Sequence, residues 1–177
     1  ILSEKGLANM PVGVDLVEPP MMITLQEEGI EVIDGQQILL EARELKSKDE
    51  MVLLNQACAM VDATYHMIYE EMKPGISEAQ IVAKSNKLLY DLGSDDVEAI
   101  NAISGERCSP HPHNFTDRIF RPGDQAFFDI LHSFNGYRTC YYRTFNIGRV
   151  SPAQLDAYKQ CREWLDKAIE LVKPGVS

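Results

Sequence analysis

The sequence has no long apolar run: charges break every hydrophobic stretch well before the length a bilayer span requires, which excludes a membrane-spanning helix. Its first residues, Ile1 to Met10, carry no basic segment followed by an apolar one, so no secretory address is visible and a cytoplasmic protein is expected. Positive charge is scarce. Seventeen Lys and Arg stand against 27 Asp and Glu, a net charge of -10, and the pI is near 4.8. No basic patch is available to displace counterions from a phosphate backbone, so nucleic acid is not an expected partner. Cysteine is sparse as well. Cys58, Cys108, Cys140 and Cys161 lie far apart, with no Cys-x-x-Cys pair and no Cys/His ladder of zinc-finger spacing, and buried free thiols are expected. A phosphate loop, a Rossmann glycine pattern and a Gly-x-Ser-x-Gly elbow are also missing, which removes support for nucleotide and serine-hydrolase readings.

What is present is a soluble, globular composition. At 45% hydrophobic, 177 residues suffice for one domain with its own core or for parts of two. Between Gly13 and Leu40, Pro19-Pro20, a short amphipathic piece (Met21 to Glu28), Gly29 and an extended Ile30-Glu31-Val32-Ile33 read as the tail of an α/β unit. The strand's partners are expected outside the chain.

A long helix is predicted from about Lys48 to Met72, because Met51, Leu54, Cys58, Val61, Tyr65, Ile68 and Met72 recur at steps of three and four. Lys73-Pro74-Gly75 stops it, and Ser77 with Gln80 opens a second helix through Leu92 with a capping box. Val97 to Ser104 is mildly β-like, and Cys108 to Asp117, rich in Pro, His and Ser, reads as a loop. Gln125 to Leu131 and Tyr137 to Ile147 should form an antiparallel hairpin through Ser133-Phe134-Asn135-Gly136. Ser151-Pro152-Ala153-Gln154 opens a last helix along Leu155, Tyr158, Cys161, Leu165, Ala168 and Val172.

Met72-Lys73-Pro74-Gly75-Ile76-Ser77 is echoed by Val172-Lys173-Pro174-Gly175-Val176-Ser177. A second copy of the same helix-stop-helix unit is expected to begin as the chain ends; the plainer alternative is a common Pro-Gly helix stop used twice.

The polar groups at odds with their surroundings lie between Cys108 and Arg143. Asp129 sits between Phe127-Phe128 and Ile130-Leu131, and a buried carboxylate needs a cation, a metal or strong hydrogen bonds. A salt bridge to Arg138 or Arg143 and a metal role weigh equally. His111 and His113 lie in a proline-stiffened loop, where paired imidazoles suit metal binding or proton transfer, although two surface histidines are the commoner case. His132 reads as a turn residue and His66 has no assigned role.

Several stretches resemble, in order, the pita-bread metallohydrolases, the family of methionine aminopeptidase, Xaa-Pro aminopeptidase, prolidase and creatinase. They are Ala42-Arg43-x-Leu45-Lys46-Ser47-Lys48-Asp49-Glu50, Lys73-Pro74-Gly75-Ile76-Ser77-Glu78, Ser104-Gly105 with the histidine loop, Gly123-Asp124-x4-Asp129, and Gly136-Tyr137-x5-Arg143-Thr144-Phe145-x2-Gly148. The layout is closest to the Xaa-Pro peptidase and creatinase branch. The resemblance implies an α+β fold: residues 41–177 as the first half of a pita-bread domain, an antiparallel sheet covered by helices, with the second half absent. Residues 1–40 would be the tail of a creatinase-type N-terminal domain and its linker.

It further implies a hydrolase that uses metal-activated water on a peptide or other C–N bond of a small peptide or small molecule. Such a protein would be a homodimer at full length and would carry Mn, Co, Zn or Fe ions. Asp129 matches the family's first metal-binding Asp. The second falls eleven residues later, on Cys140, where hard cations would prefer an oxygen donor; either a thiolate ligand or a lost ligand follows. His111 or His113 takes the place of the substrate-side histidine. Because of Cys140, two alternatives stand beside the peptidase reading: a creatinase- or lyase-like enzyme without the dinuclear site, and an inactive binding module.

Overall fold

The computed structural model describes residues 1–176, which divide into two compact units, residues 1–51 and the chain from Val52 onward. The first unit runs β1 (Val12–Val14), α1 (Pro19–Glu27), β2 (Val32–Asp34) and α2 (Gln36–Glu44). Pro19-Pro20 occupy the start of α1, where a missing N–H costs nothing. The expectation that β2 lacks a partner within the chain is overturned: β1 pairs with it in parallel, Val12 opposite Val32 and Val14 opposite Asp34. Three residues are too few to show an alternating pattern, so β1 left no trace in the sequence. The two strands approach at glycines, and a Cβ on Gly35 would fall 2.9 Å from the Gly13 carbonyl carbon. The helix α2 was not foreseen either, because its apolar residues, Ile38-Leu39-Leu40, are consecutive rather than periodic.

α3 (Lys48–Glu71) and α4 (Glu78–Asp91) follow. Ser47 and Glu50 form a capping box on α3, and Ser77 and Gln80 form one on α4. The buried face of α3 is Ala57, Met60, Val61, Thr64, Tyr65 and Ile68. β3 (Asp96–Ser104), β4 (Gln125–Phe134) and β5 (Tyr137–Asn146) make an antiparallel sheet in that order. Asn135-Gly136, with φ of 49° and 80°, forms the two-residue, both-positive turn that matches strand twist.

Residues directly opposite in a ladder share a face, and neighbours alternate. Phe128, Ile130 and His132 of β4 therefore share one face; with Ile100 they build the core with Met60, Val61 and Ile68 of α3 and Ile81 and Leu89 of α4. His132 is not the turn residue expected. It lies within β4, fully buried, its Nε2 2.9 Å from the Ala57 carbonyl and its Nδ1 3.0 Å from Ser94 Oγ.

α5 (Pro152–Leu171) begins at a capping box and buries no residue. Leu155, Tyr158, Trp164 and Leu165 are all exposed. Ser177, the end of the second Pro-Gly echo, lies outside the described residues. No helix among the described residues is long and apolar enough to cross a membrane.

Candidate functional site

Asp129 lies at the middle of the central strand, 3% exposed, with Asn101 opposite it on β3 and Tyr142 opposite it on β5. This is the face turned away from Phe128 and Ile130. Asn101 Nδ2 donates to Asp129 Oδ2 at 3.3 Å. Cys140, two residues before Tyr142 and so on the same face, donates from Sγ to Asp129 Oδ1 at 3.4 Å. Neither arginine considered as an ion-pair partner reaches the carboxylate. Arg138 pairs with Glu98, and Arg143 lies over the Tyr141 ring, 3.9 Å from Asp62. A carboxylate is thus held in the sheet by two hydrogen bonds from uncharged groups, with no ion pair to it among the described residues.

The histidine loop closes one end of this face. His111 Nε2 is 3.3 Å from the Tyr142 hydroxyl, and its ring packs edge-on against Phe127, 4.7 Å between centroids, with the His113 ring at 4.8 Å. Both imidazoles are exposed. The Tyr142 phenol is pushed up to about 12 by desolvation of its hydroxyl and by the nearby Asp129 carboxylate, so at neutral pH it keeps its proton beside His111.

The structure therefore gathers all four residues singled out from the sequence, His111, His113, Asp129 and Cys140, around one sheet face. It adds Tyr142, Asn101 and Phe127, which the sequence reading missed. Period-two counting from Cys140 would have found Tyr142.

As a metal centre, this donor set does not fit. It holds one carboxylate and one thiol, and among the described residues no group of three or more His, Cys, Asp or Glu is placed to hold an ion. The Cys140 thiol is raised above its ordinary range by burial and by the Asp129 carboxylate, and a protonated thiol is not a ligand.

The expected burial of the cysteines holds only in part. Cys58 and Cys108 are half-buried, whereas Cys140 and Cys161 are exposed, because β5 is an edge strand and α5 is uncovered. Cys108 Sγ bonds the Gln125 carbonyl at 3.4 Å, and burial, with Glu78 nearby, pushes its thiol up to about 11. At pH 8 its thiolate fraction is about one part in a thousand, against about a tenth for an unperturbed thiol. Alkylation of Cys108 with iodoacetamide should accordingly run about a hundredfold slower in the native protein than in urea; equal rates would show that burial does not protect it. The same shift has a fixed sign for stability. The unfolded chain releases this proton first, so the Cys108 contribution is complete below about pH 9 and is lost as the pH rises towards about 11.

Comparison with known proteins bears on this arrangement. The model of metallopeptidase family M24 matches residues 52–177. An Xaa-Pro dipeptidase of Pyrococcus furiosus is 26% identical over 141 residues, which are 79% of this chain and 40% of that protein. The probable dipeptidase PepE of Mycobacterium tuberculosis is 27% identical over 141 residues, 79% of this chain and 38% of its own length. Among solved structures, a prolidase from Pyrococcus furiosus superposes with a TM-score of 0.85 at 23% identity, covering 91% of this chain and 48% of that one. A dipeptidase from Pyrococcus horikoshii does so with a TM-score of 0.89 at 22% identity, covering 99% and 50%. The chain thus spans about 40% of the curated relatives' length and about half of each structure's.

Proposed function

The chain belongs to metallopeptidase family M24, and from that premise we propose that it supplies the Asp129 and histidine-loop side of a hydrolase acting on the C–N bond of small peptides. The fold is that of the first half of a pita-bread domain, and a divalent-metal requirement comes with the family. Similarity to an Xaa-Pro dipeptidase supports dipeptides with proline after the cleaved bond as the substrate class.

One observation carries the reading. Asp129 is a nearly inaccessible carboxylate with no ion-pair partner among the described residues, on the face that His111 overhangs. A buried carboxylate with only uncharged partners is costly to keep, and service to a ligand is one reason to keep it. His111 is preferred to His113 as the substrate-side group because it alone reaches Tyr142; there it would orient the carbonyl to be attacked. Cys140 favours Zn or Fe over Mn or Co at any centre completed by other residues. Residues 1–40 are read as the tail of an N-terminal domain, and the full-length protein as a cytoplasmic homodimer.

A second reading, metal-free C–N chemistry or a binding role, is favoured by the Cys140–Asp129 hydrogen bond, which satisfies the carboxylate without a cation. Metal analysis by plasma emission, with a hydrolysis assay on Xaa-Pro dipeptides, separates the two for the full-length protein. The first reading requires bound metal and hydrolysis that Asp129→Asn abolishes. A metal-free protein inert towards every dipeptide would refute it and leave the second.

A further inference from the structure

The loop bearing His111 and His113 is exposed, yet it is anchored at both ends on one buried group. Glu78, the first residue of α4, has no solvent exposure. Its Oε1 accepts from Ser104 Oγ at 2.7 Å, on the strand that leads into the loop. Its Oε2 accepts from the Thr116 backbone N–H and from Thr116 Oγ1, both at 2.9 Å, where the loop returns. The same oxygen takes an ion pair from Arg107 Nη1. Arg107 in turn donates from Nη2 to the Asn114 carbonyl at 2.9 Å and from Nη1 to Thr116 Oγ1 at 3.1 Å. The α4 backbone reinforces the return: Glu78 N–H donates to the Arg118 carbonyl and Ala79 N–H to the Thr116 carbonyl, each at 3.0 Å.

We propose that Glu78 is a positioning residue, a buried carboxylate that draws Ser104, Arg107 and Thr116 together and so fixes where His111 and His113 stand over the Asp129 face. Its functional meaning rests on the reading of those histidines as substrate-side groups. The chemistry explains why a charge is used there. A carboxylate offers enough lone pairs to accept from four donors at once, and a charge-assisted network in a dry site holds its geometry more tightly than neutral bonds do. A buried ion with all its partners present is tolerated, whereas an amide in its place loses acceptor capacity and leaves the Arg107 charge unbalanced. The loop itself contributes little. Among the described residues, the His111 imidazole is anchored beyond the tether by its Tyr142 and Phe127 contacts, and the His113 imidazole by its contact with the His111 ring.

The four histidines of this chain, with their resonances assigned, provide the test on the full-length protein, since His66, exposed on α3, and His132, buried in the core, bracket the loop pair. Imidazole resonances and chymotryptic cleavage after Phe115, which is 44% exposed, would be followed in wild type and in Glu78→Gln. The expected result is that the His111 and His113 signals collapse towards that of His66 while His132 stays in place. Cleavage after Phe115 should quicken about tenfold as the loop opens. Unchanged loop signals and an unchanged cleavage rate, with His132 intact, would overturn the proposal. Should Glu78→Gln lose the His132 signal through unfolding, Arg107→Gln decides by the same two readouts, because Arg107 is only partly buried. Movement of the loop signals then supports the clamp, and constancy overturns it. A loosened loop with undiminished dipeptide hydrolysis would uphold the clamp and sink the assignment of the histidines to the substrate.

Discussion

Replacing Cys140 with Asp is expected to raise the affinity of the full-length protein for Mn²⁺ about a hundredfold or more, a gain of about 3 kcal/mol. The sulfur at this position is 3.4 Å from Asp129 Oδ1 and donates a hydrogen bond to that oxygen. A cation entering here must first displace the proton, and then meets a soft donor beside a hard one. The substitution puts two ionised oxygens on the same face in adjacent strands. Like charges at that separation destabilise the metal-free form, one carboxyl taking up a proton more readily, and a divalent ion relieves the repulsion as it binds. Two measurements follow. Calorimetric titration should show the gain for Mn²⁺ and a much smaller one for Zn²⁺, because the softer ion competes better for the thiol's proton and so loses less from the sulfur. Thermal melting should show the metal-free variant below wild type and a larger rise on adding Mn²⁺, as linkage requires. Equal Mn²⁺ affinity in the two proteins would mean that position 140 does not face a cation, and the metal-free reading would gain.

What was legible in the sequence was what depends on short-range pattern. The helix α3 announced itself by apolar spacing and α4 by its Ser-x-x-Gln cap, and the β4–β5 hairpin by Asn135-Gly136 between extended runs. β1 was too short to carry a period, and α2 had its apolar residues bunched. At the site, Asp129 stood out as a carboxylate in an apolar strand, and Cys140 only through the family resemblance. Asn101 could not be recognised without the ladder register that sets it opposite Asp129, whereas Tyr142 was within reach of period-two counting from Cys140. Glu78 was hidden for another reason. An acid in the first turn of a helix reads as an exposed dipole partner, and only the return of residues 114–118 across it makes it a buried anchor.

The second large effect concerns the entrance to the same loop, where Gly105→Ala is expected to cost about 3–5 kcal/mol, a sizeable share of the roughly 5–15 that stabilises a domain. Two penalties combine. Gly105 has φ +59°, and an L side chain in that region costs about 1 kcal/mol. The added Cβ would also fall 2.1 Å from Arg118 Nη2, 2.6 Å from its Cζ and 2.9 Å from Asp124 Oδ1, so the guanidinium must leave. Arg118 is 10% exposed and Asp124 13%; their 2.6 Å ion pair, the 2.7 Å one to Glu106 and the 2.9 Å bond to Ser104 Oγ would all be disturbed. Breaking a buried pair from one side is what makes such changes severe. Gly123→Ala provides the control. Gly123 also has positive φ, +89°, but nothing lies within 4 Å of the Cβ it would gain, so only the backbone penalty of about 1 kcal/mol applies. Urea midpoints for the two variants, at unchanged slope, should therefore differ by about 2–4 kcal/mol once converted to free energy. Equal midpoints would mean that Arg118 swings aside without loss, and that the Arg118–Asp124 pair at the foot of β4 contributes little to holding the central strand that presents Asp129.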